Sequence, residues 1–401
     1  MSTVAGLLIA LVGVVLAGIG LYLVVLALAN LANRPSPYAP ARPHWSHLTV
    51  VVPAHDEELL LGRCINSLLA QSYPADLMRI VVVADNCTDA TATVAADAGA
   101  EVMIRDQPEQ PGKGRALRWA MDNLLAGAAP PDGIVVVDAD SVADPNLLGA
   151  LAVELEDGYE VVQADYTLQD EPGLGRSAMA EAGFLLFHRV RFGGRARLGM
   201  PANLVGNGML FSRHVMEVEP WSAFTGVEDL EQSVRLRMAG FRPRFAPAAR
   251  LSGPGAASGA GAVRQRLRWE GGRFHIVRRQ LGSLIVAAIV RRDPSLADAA
   301  IDLATPPLAL FSLASLAGTL VSATLAVRGL AAWWVAVPWV IALVAIPTFV
   351  VVGLRSADSP VRIWGVVVGA PMFIGWKLVT YSRLLRGHDV GRWDRTDRQA
   401  S

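Results

Sequence analysis

Two carboxylates one residue apart, Asp138 and Asp140, follow the apolar run Ile134 to Val137. The run is short, β-branched and unbroken, which suits a strand buried on both faces of a parallel sheet. The carboxylates would then sit at the strand's carboxyl end, where open α/β sheets bind ligands. Alternation along an extended chain points residues i and i+2 the same way, so both can face one ion. Hard oxygen ligands of this kind suit Mg2+ or Mn2+ shared with a diphosphate. The competing reading is a strand that ends in an ordinary polar turn.

The preceding elements would deliver more acidic residues to the same edge. Leu48 to Pro53 reads as a strand followed by Asp56 and Glu57, and Ile80 to Ala84 as a second followed by Asp85 and Asp89. A third is expected at Val102 to Ile104, and a helix at Lys113 to Leu125 with Ala116, Leu117, Ala120, Met121 and Leu124 on its core side. Any one acidic strand end is a turn or a cap, but three on one edge point to a ligand site. Gln110 to Arg115 (QPGKGR) opens the helix, where free backbone amides favour an anion and Lys113 adds a point charge. It lacks the spacing and the Ser/Thr of a Walker A loop. Glu228 and Asp229 start a helix that places Leu230, Val234 and Met238 inside and ends at Gly240. A carboxylate at a helix start is stabilised as the anion, the state a general base needs; plain dipole compensation is the alternative. Gln163 closes a further strand at this edge, within reach of an acceptor. Asn207-Gly208 marks either a close backbone approach near an acceptor or a strand kink.

The 401-residue chain as a whole is 52% hydrophobic, with no net formal charge, and its mean hydropathy is +0.36. That excludes an ordinary soluble protein, and no overall field argues for nucleic acid. The two cysteines, Cys64 and Cys87, have neither metal spacing nor a disulfide framework, which fits a reducing compartment. No two of the histidines have zincin spacing. Val4 to Ala32 is a spanning candidate without a charge, and Arg34 and Arg42 after it place the next domain in the cytoplasm. Leu303 to Val327, Leu330 to Leu354 and the shorter Ile363 to Tyr381 are further candidates. Three crossings would put the arginine-rich tail outside, against the positive-inside rule, so the last stretch is expected to be re-entrant or interfacial. Gln280 to Arg292, flanked by arginines, reads as an amphipathic helix on the membrane surface, and Ser252 to Ala262 as a mobile loop. No ionisable residue lies deep inside the strongest spans, which argues against a transporter. The expected organisation is a transmembrane helix at 1–33, a cytosolic domain at 46–272, an interface helix at 273–295, a transmembrane region at 300–385 and a basic tail at 386–401.

Val51 to Glu58 (VVPAHDEE), Val83 to Thr91 (VADNCTDAT), Pro111 to Gly114 (PGKG) and Asp138 to Asp140 resemble, in order, the motifs of family 2 glycosyltransferases. Val227 to Leu230 (VEDL) is similar to the block that holds the family's catalytic base, and Gln265 to Trp269 (QRLRW) is a full Q-x-x-R-W. That order of signatures resembles the membrane-embedded branch with cellulose, chitin, hyaluronan and poly-N-acetylglucosamine synthases and ceramide glucosyltransferases. The resemblance implies a GT-A-like α/β fold, a doubly wound mixed sheet with flanking transmembrane helices. It implies a multi-pass protein of the cytoplasmic membrane that moves sugar from a nucleotide-sugar, a UDP-sugar, to a saccharide or lipid-linked acceptor. Processive polysaccharide synthesis and single transfer to a lipid stay open as alternatives.

Roles follow by resemblance, residue by residue. Asp85 with Asp56 or Glu57 would hold the nucleobase and ribose, and Lys113 would lie near the donor. Asp138 and Asp140 would approach the metal, Mg2+ or Mn2+, and the diphosphate. Asp229 would take the acceptor's proton beside Glu228. Gln265, Arg268 and Trp269 would lie over the donor diphosphate and beneath the acceptor sugar, Arg268 offering a fork and Trp269 a flat face. The chain departs from the family at Val227, where Thr is usual, and at Asn86 and Cys87.

Overall fold

In the computed structural model, residues 3–32, 43, 45–168, 176–254 and 260–357 are described, with parts of 365–378. The chain divides into two units, one drawing on 1–34, 171–199 and 301–388, the other on 35–170, 200–300 and 389–401.

The second unit is built on an eight-stranded sheet. Its strands are β1 (Leu48–Ala54), β2 (Met78–Asp85), β3 (Glu101–Arg105), β4 (Gly133–Val136), β5 (Val142–Ala143), β6 (Val161–Leu168), β7 (Met209–Ser212) and β8 (Arg244–Gly253), in the order β3-β2-β1-β4-β7-β6-β8-β5. The first four are parallel, as their apolar runs predict. β7 runs antiparallel to both β4 and β6, and β5 antiparallel to β8, so the sheet is mixed. Alternation divides β1 between two cores. Val50 and Val52 face the helices Leu61–Leu69 and Leu147–Glu156, while Val51 faces Lys113–Ala126. β2 and β4 lie on opposite sides of β1, so the strand order reverses at β1, where ligand crevices form in open sheets. The loop expected at 252–262 is shorter: β8 runs to Gly253, residues 255–259 lie outside the described residues, and one helix covers Ala260–Arg291. The Gln280 to Arg292 stretch continues that long helix as far as Arg291, and Arg292 follows it at a φ of +52°.

The first unit is helical. Among the described residues three helices are long and apolar enough to cross a membrane: Ala5–Ala32, Leu308–Val327 and Trp333–Ser356. The second starts at Leu308, because Pro306 and Pro307 separate it from a preceding helix, Pro294–Ala304. Of Ile363 to Tyr381, residues 363–364, 367, 373, 376 and 379–381 lie outside the described residues, as does the whole basic tail. Residues 176–197, inside the stretch expected to belong to the sheet domain, join the helical unit instead. Gly193 and Gly194 make this possible. A Cβ on Gly194 would lie 2.2 Å from the Leu26 carbonyl oxygen, so only glycine lets the two backbones approach this closely. Arg191 and Arg195 are buried there against Asp302, and Arg195 donates to the Tyr22 hydroxyl at 2.7 Å.

Candidate active site

At the ends of β1 and β2 the carboxylates are tied into the chain. Asp56 has a φ of +54°, and its Oδ1 accepts from the Thr88 amide at 2.6 Å and the Asp89 amide at 3.3 Å. Burial works to raise its pKa, but the bonds from Thr88 outweigh it and hold the group below the usual carboxylate range. The Glu57 amide donates to Thr91 Oγ1 at 2.8 Å, so this stretch clamps the 86–91 loop. Asp85 is buried, and its Oδ1 accepts from Arg105 at 2.5 Å. The two residues face each other across β2 and β3. Burial nevertheless raises the Asp85 pKa against the pull of Arg105. Arg105 escaped the sequence reading; its signal was a charged residue closing β3 in step with Asp85. Asp56, Cys87 and Asp89 also form the one cluster of three potential metal ligands among the described residues, with ligand atoms within 4.8 Å of one another. Its sulfur and its engaged carboxylates suit a hard cation poorly.

Past β4 the arrangement differs. Asp138 to Ser141 form a turn, with the Ser141 amide donating to the Asp138 carbonyl at 3.0 Å. The extended-chain alternation expected there is therefore absent, because the strand has already ended at Val136. The Asp138 side chain keeps 34% of its surface exposed, whereas Asp140 is buried. Asp138 and Asp140 are the carboxylates of this turn that could hold a hard divalent cation. Beneath the turn, Cys64 Sγ donates to the Asp138 carbonyl at 3.4 Å, and burial pushes this thiol up to about 12.

Lys113 joins the turn to the loop at Gly206. Its Nζ donates to Asp138 Oδ1 at 2.5 Å and to the Gly206 carbonyl at 2.6 Å. Gly206 has a φ of +81°, and a Cβ on it would lie 3.3 Å from Asp229 Oδ2. Asp138, Lys113, Gly206 and Asp229 are thus one contiguous cluster. Burial alone would lower the Lys113 pKa, but Asp138, Glu228 and Asp229 raise it above the ordinary value. For Asp229, burial first and the Glu228 charge second push the carboxyl up to about 7. That opposes the expectation of a stabilised anion: the helix Glu228–Ala239 does begin here, but desolvation and a like charge outweigh its dipole.

Gln163 departs from its expected place. It lies within β6 with no exposed surface, so it cannot touch an acceptor. Its Oε1 accepts from the Val205 amide at 3.0 Å and its Nε2 donates to the Asn207 carbonyl at 2.8 Å, which fixes the 203–208 loop. Gln265, Arg268 and Trp269 fall on the helix Ala260–Arg291, where spacings of three and four residues share one face. The side chains of Gln265 and Arg268 lie outside the described residues, and Trp269 is exposed. Val227 meets this helix: a Cβ on Gly272 would sit 2.7 Å from Val227 Cγ1. The valine found where threonine is usual thus fills an apolar contact between the Glu228 helix and the helix of Q-x-x-R-W.

A mixed sheet whose strand order reverses at an acidic edge is the GT-A-like arrangement of nucleotide-dependent transferases. The model described as "glycosyltransferase like family 2" matches residues 43–272, more than half of the chain. The chain belongs to that family. Among curated relatives, the "probable glycosyltransferase YdaM" of Bacillus subtilis is 26% identical over 246 residues, 57% of this chain and 56% of that protein. The 4,4'-diaponeurosporenoate glycosyltransferase of Staphylococcus aureus is 31% identical over 130 residues, 32% of this chain and 30% of that protein. The chain thus spans about half the length, or less, of these curated relatives. Among solved structures, a mannosyltransferase from Pyrobaculum calidifontis in complex with GDP-Man and Mn2+ aligns with a TM-score of 0.49 at 20% identity, over 82% of this chain and 98% of that one.

Proposed function

We propose that the protein is a membrane-bound, inverting glycosyltransferase that moves a sugar from a UDP-sugar to a saccharide acceptor, with processive β-linked polysaccharide synthesis as its fullest form. The observation that carries this reading is the Asp138–Lys113–Gly206–Asp229 cluster, which joins the donor-side turn to a carboxylate suited to proton transfer. Asp229 takes the proton of the acceptor hydroxyl as that oxygen attacks the anomeric carbon. The bond from that carbon to the diphosphate breaks in the same displacement, so the configuration inverts. Lys113, held protonated by the surrounding carboxylates, can exchange Asp138 for a donor phosphate. Mg2+ or Mn2+ held by Asp138 and Asp140 would supply positive charge opposite the leaving diphosphate. Arg268 and Gln265 would lie over the donor diphosphate, as the Q-x-x-R-W resemblance implies, and Trp269 offers its exposed face to the acceptor sugar. Asp85, with Asp56 and Glu57, shapes the nucleoside end.

The three apolar helices support a multi-pass protein of the cytoplasmic membrane with the sheet unit on the cytoplasmic side. On the helix Ala260–Arg291, exposed Val286, Ile289 and Val290 beside Arg291 support contact with the lipid surface. A second reading, single transfer to a lipid or lipid-linked acceptor, is favoured by the name of the Staphylococcus aureus relative, a diaponeurosporenoate glycosyltransferase. Purified full-length protein, incubated with Mn2+, a panel of labelled UDP-sugars and membrane lipids, distinguishes the two by product mass. A ladder of saccharides supports polymer synthesis and a single mass increment on a lipid supports the second reading. Absence of any UDP release across the panel would overturn both.

A further inference from the structure

We propose that Asn207 is a positioning residue that locks the donor-side turn and the acceptor-side loop into one register. The inference rests on the reading of Asp138 and Asp229 given above and concerns how their separation is fixed. Asn207 has no exposed surface, so it touches no substrate. Its Oδ1 accepts from the Asp138 amide at 3.1 Å, and its Nδ2 donates to Ser141 Oγ at 2.8 Å. A backbone amide can only donate, which fixes the orientation of the side-chain amide. One planar group therefore grips both ends of the turn that carries Asp138 and Asp140.

The backbone of the same residue belongs to the loop against Asp229. The Asn207 carbonyl accepts from Gln163 Nε2 at 2.8 Å. The Gly208 amide donates to the Val136 carbonyl at 2.9 Å, and the Gly208 carbonyl accepts from the Ala164 amide at 2.8 Å. Gly206 and Gly208 hold φ values of +81° and +67° on either side, and a Cβ on Gly208 would lie 2.6 Å from Leu251 Cδ2. The loop thus has little freedom, and Gly206 lies against Asp229 while its carbonyl binds Lys113. With the Asn207 side chain removed, the turn keeps its carboxylates and the loop its backbone bonds. What is lost is the buried tie that, beside the Lys113 bridge, sets one against the other. Buried networks of this kind are costly to leave half made, which gives the position its rigidity.

The test uses the full chain in detergent, with turnover read as UDP release from the UDP-sugar the wild type consumes. Binding of UDP in the presence of Mn2+ is titrated separately. Asn207→Ala is expected to lower kcat about 100-fold, the cost of a misplacement near 1 Å. Donor KM and the UDP Kd should stay within about threefold, because ground-state donor contacts persist. Ser141→Ala cuts one arm only and should lower kcat about tenfold, with the two losses less than additive in the double variant. Unchanged kcat in folded Asn207→Ala, or a fall in kcat matched by an equal loss of UDP binding, overturns the proposal. If Asn207→Ala does not fold, Ser141→Ala decides by the same split between kcat and KM. Full turnover in Asp229→Asn would instead overturn the base assignment, so the two failures are distinguishable.

Discussion

The two acidic edges of the sheet unit use the same residue type to opposite effect. At the ends of β1 and β2, Asp56 and Asp85 are matched by donors from the chain: amides of the 88–89 turn for one, the Arg105 guanidinium for the other. Between β4 and the Glu228 helix, the charges of Asp138, Glu228 and Asp229 all act on Lys113, three carboxylates on one lysine among the described residues. The first edge is a frame whose electrostatics are settled by folding. The second gathers negative charge that an incoming cation can offset. A carboxylate's neighbours, more than its place at a strand end, separate shape from chemistry.

The comparison is broken most severely at Asp229. Asp229→Asn should cost about 10²–10⁴ in turnover, the usual range for a general base, with UDP binding retained. At the other edge, Arg105→Leu leaves Asp85 buried without its partner and should cost about 3–5 kcal/mol of stability in denaturant titration. The loss in activity should then follow the loss of folded protein, unlike that of Asp229→Asn. Lys113→Ala removes the cation that favours ionised Asp229. The midpoint of its pH–turnover profile should therefore move to higher pH, beyond about 7. Asp56→Ala deletes the hydrogen bonds that Asp56 accepts from the Thr88 and Asp89 amides and should cost about 1 kcal/mol. Because the fold holds the Asp56 pKa low, that stabilisation is present above the ordinary carboxylate pKa and fades as pH falls through the lowered value.

Much of the frame was legible in the sequence. Unbroken β-branched runs marked β1, β2 and β4, and Gly240, at a φ of +101°, ends the Glu228 helix as read. The antiparallel half was harder, because β7, β6 and β8 assemble out of sequence order and their partners lie far along the chain. The motifs singled out Asp138 and Asp229, but local rules misjudged their surroundings. An alternation rule was applied past the point where the strand had become a turn. A helix-dipole rule favoured an ionised Asp229, whereas burial and Glu228 decide the sign. Arg105 was passed over and Asn207 was read only for its backbone, because their side-chain partners, Asp85 and the 138–141 turn, are 20 and 69 residues away. Gln163 was noticed for its strand and misassigned in orientation, since one step along a strand reverses the face.

The central claim is that Asp229, raised by burial and Glu228, is the group whose ionisation turns the reaction on. The most direct measurement is the pH dependence of wild-type turnover at saturating donor and Mn2+, beside Asp229→Asn under the same conditions. Turnover rising with pH as one group ionises near 7, with no turnover but intact UDP binding in Asp229→Asn, is the predicted result. A wild-type profile flat from about pH 5 to about pH 9, well across the range such a base must titrate, or a variant that follows the wild-type curve, would contradict it.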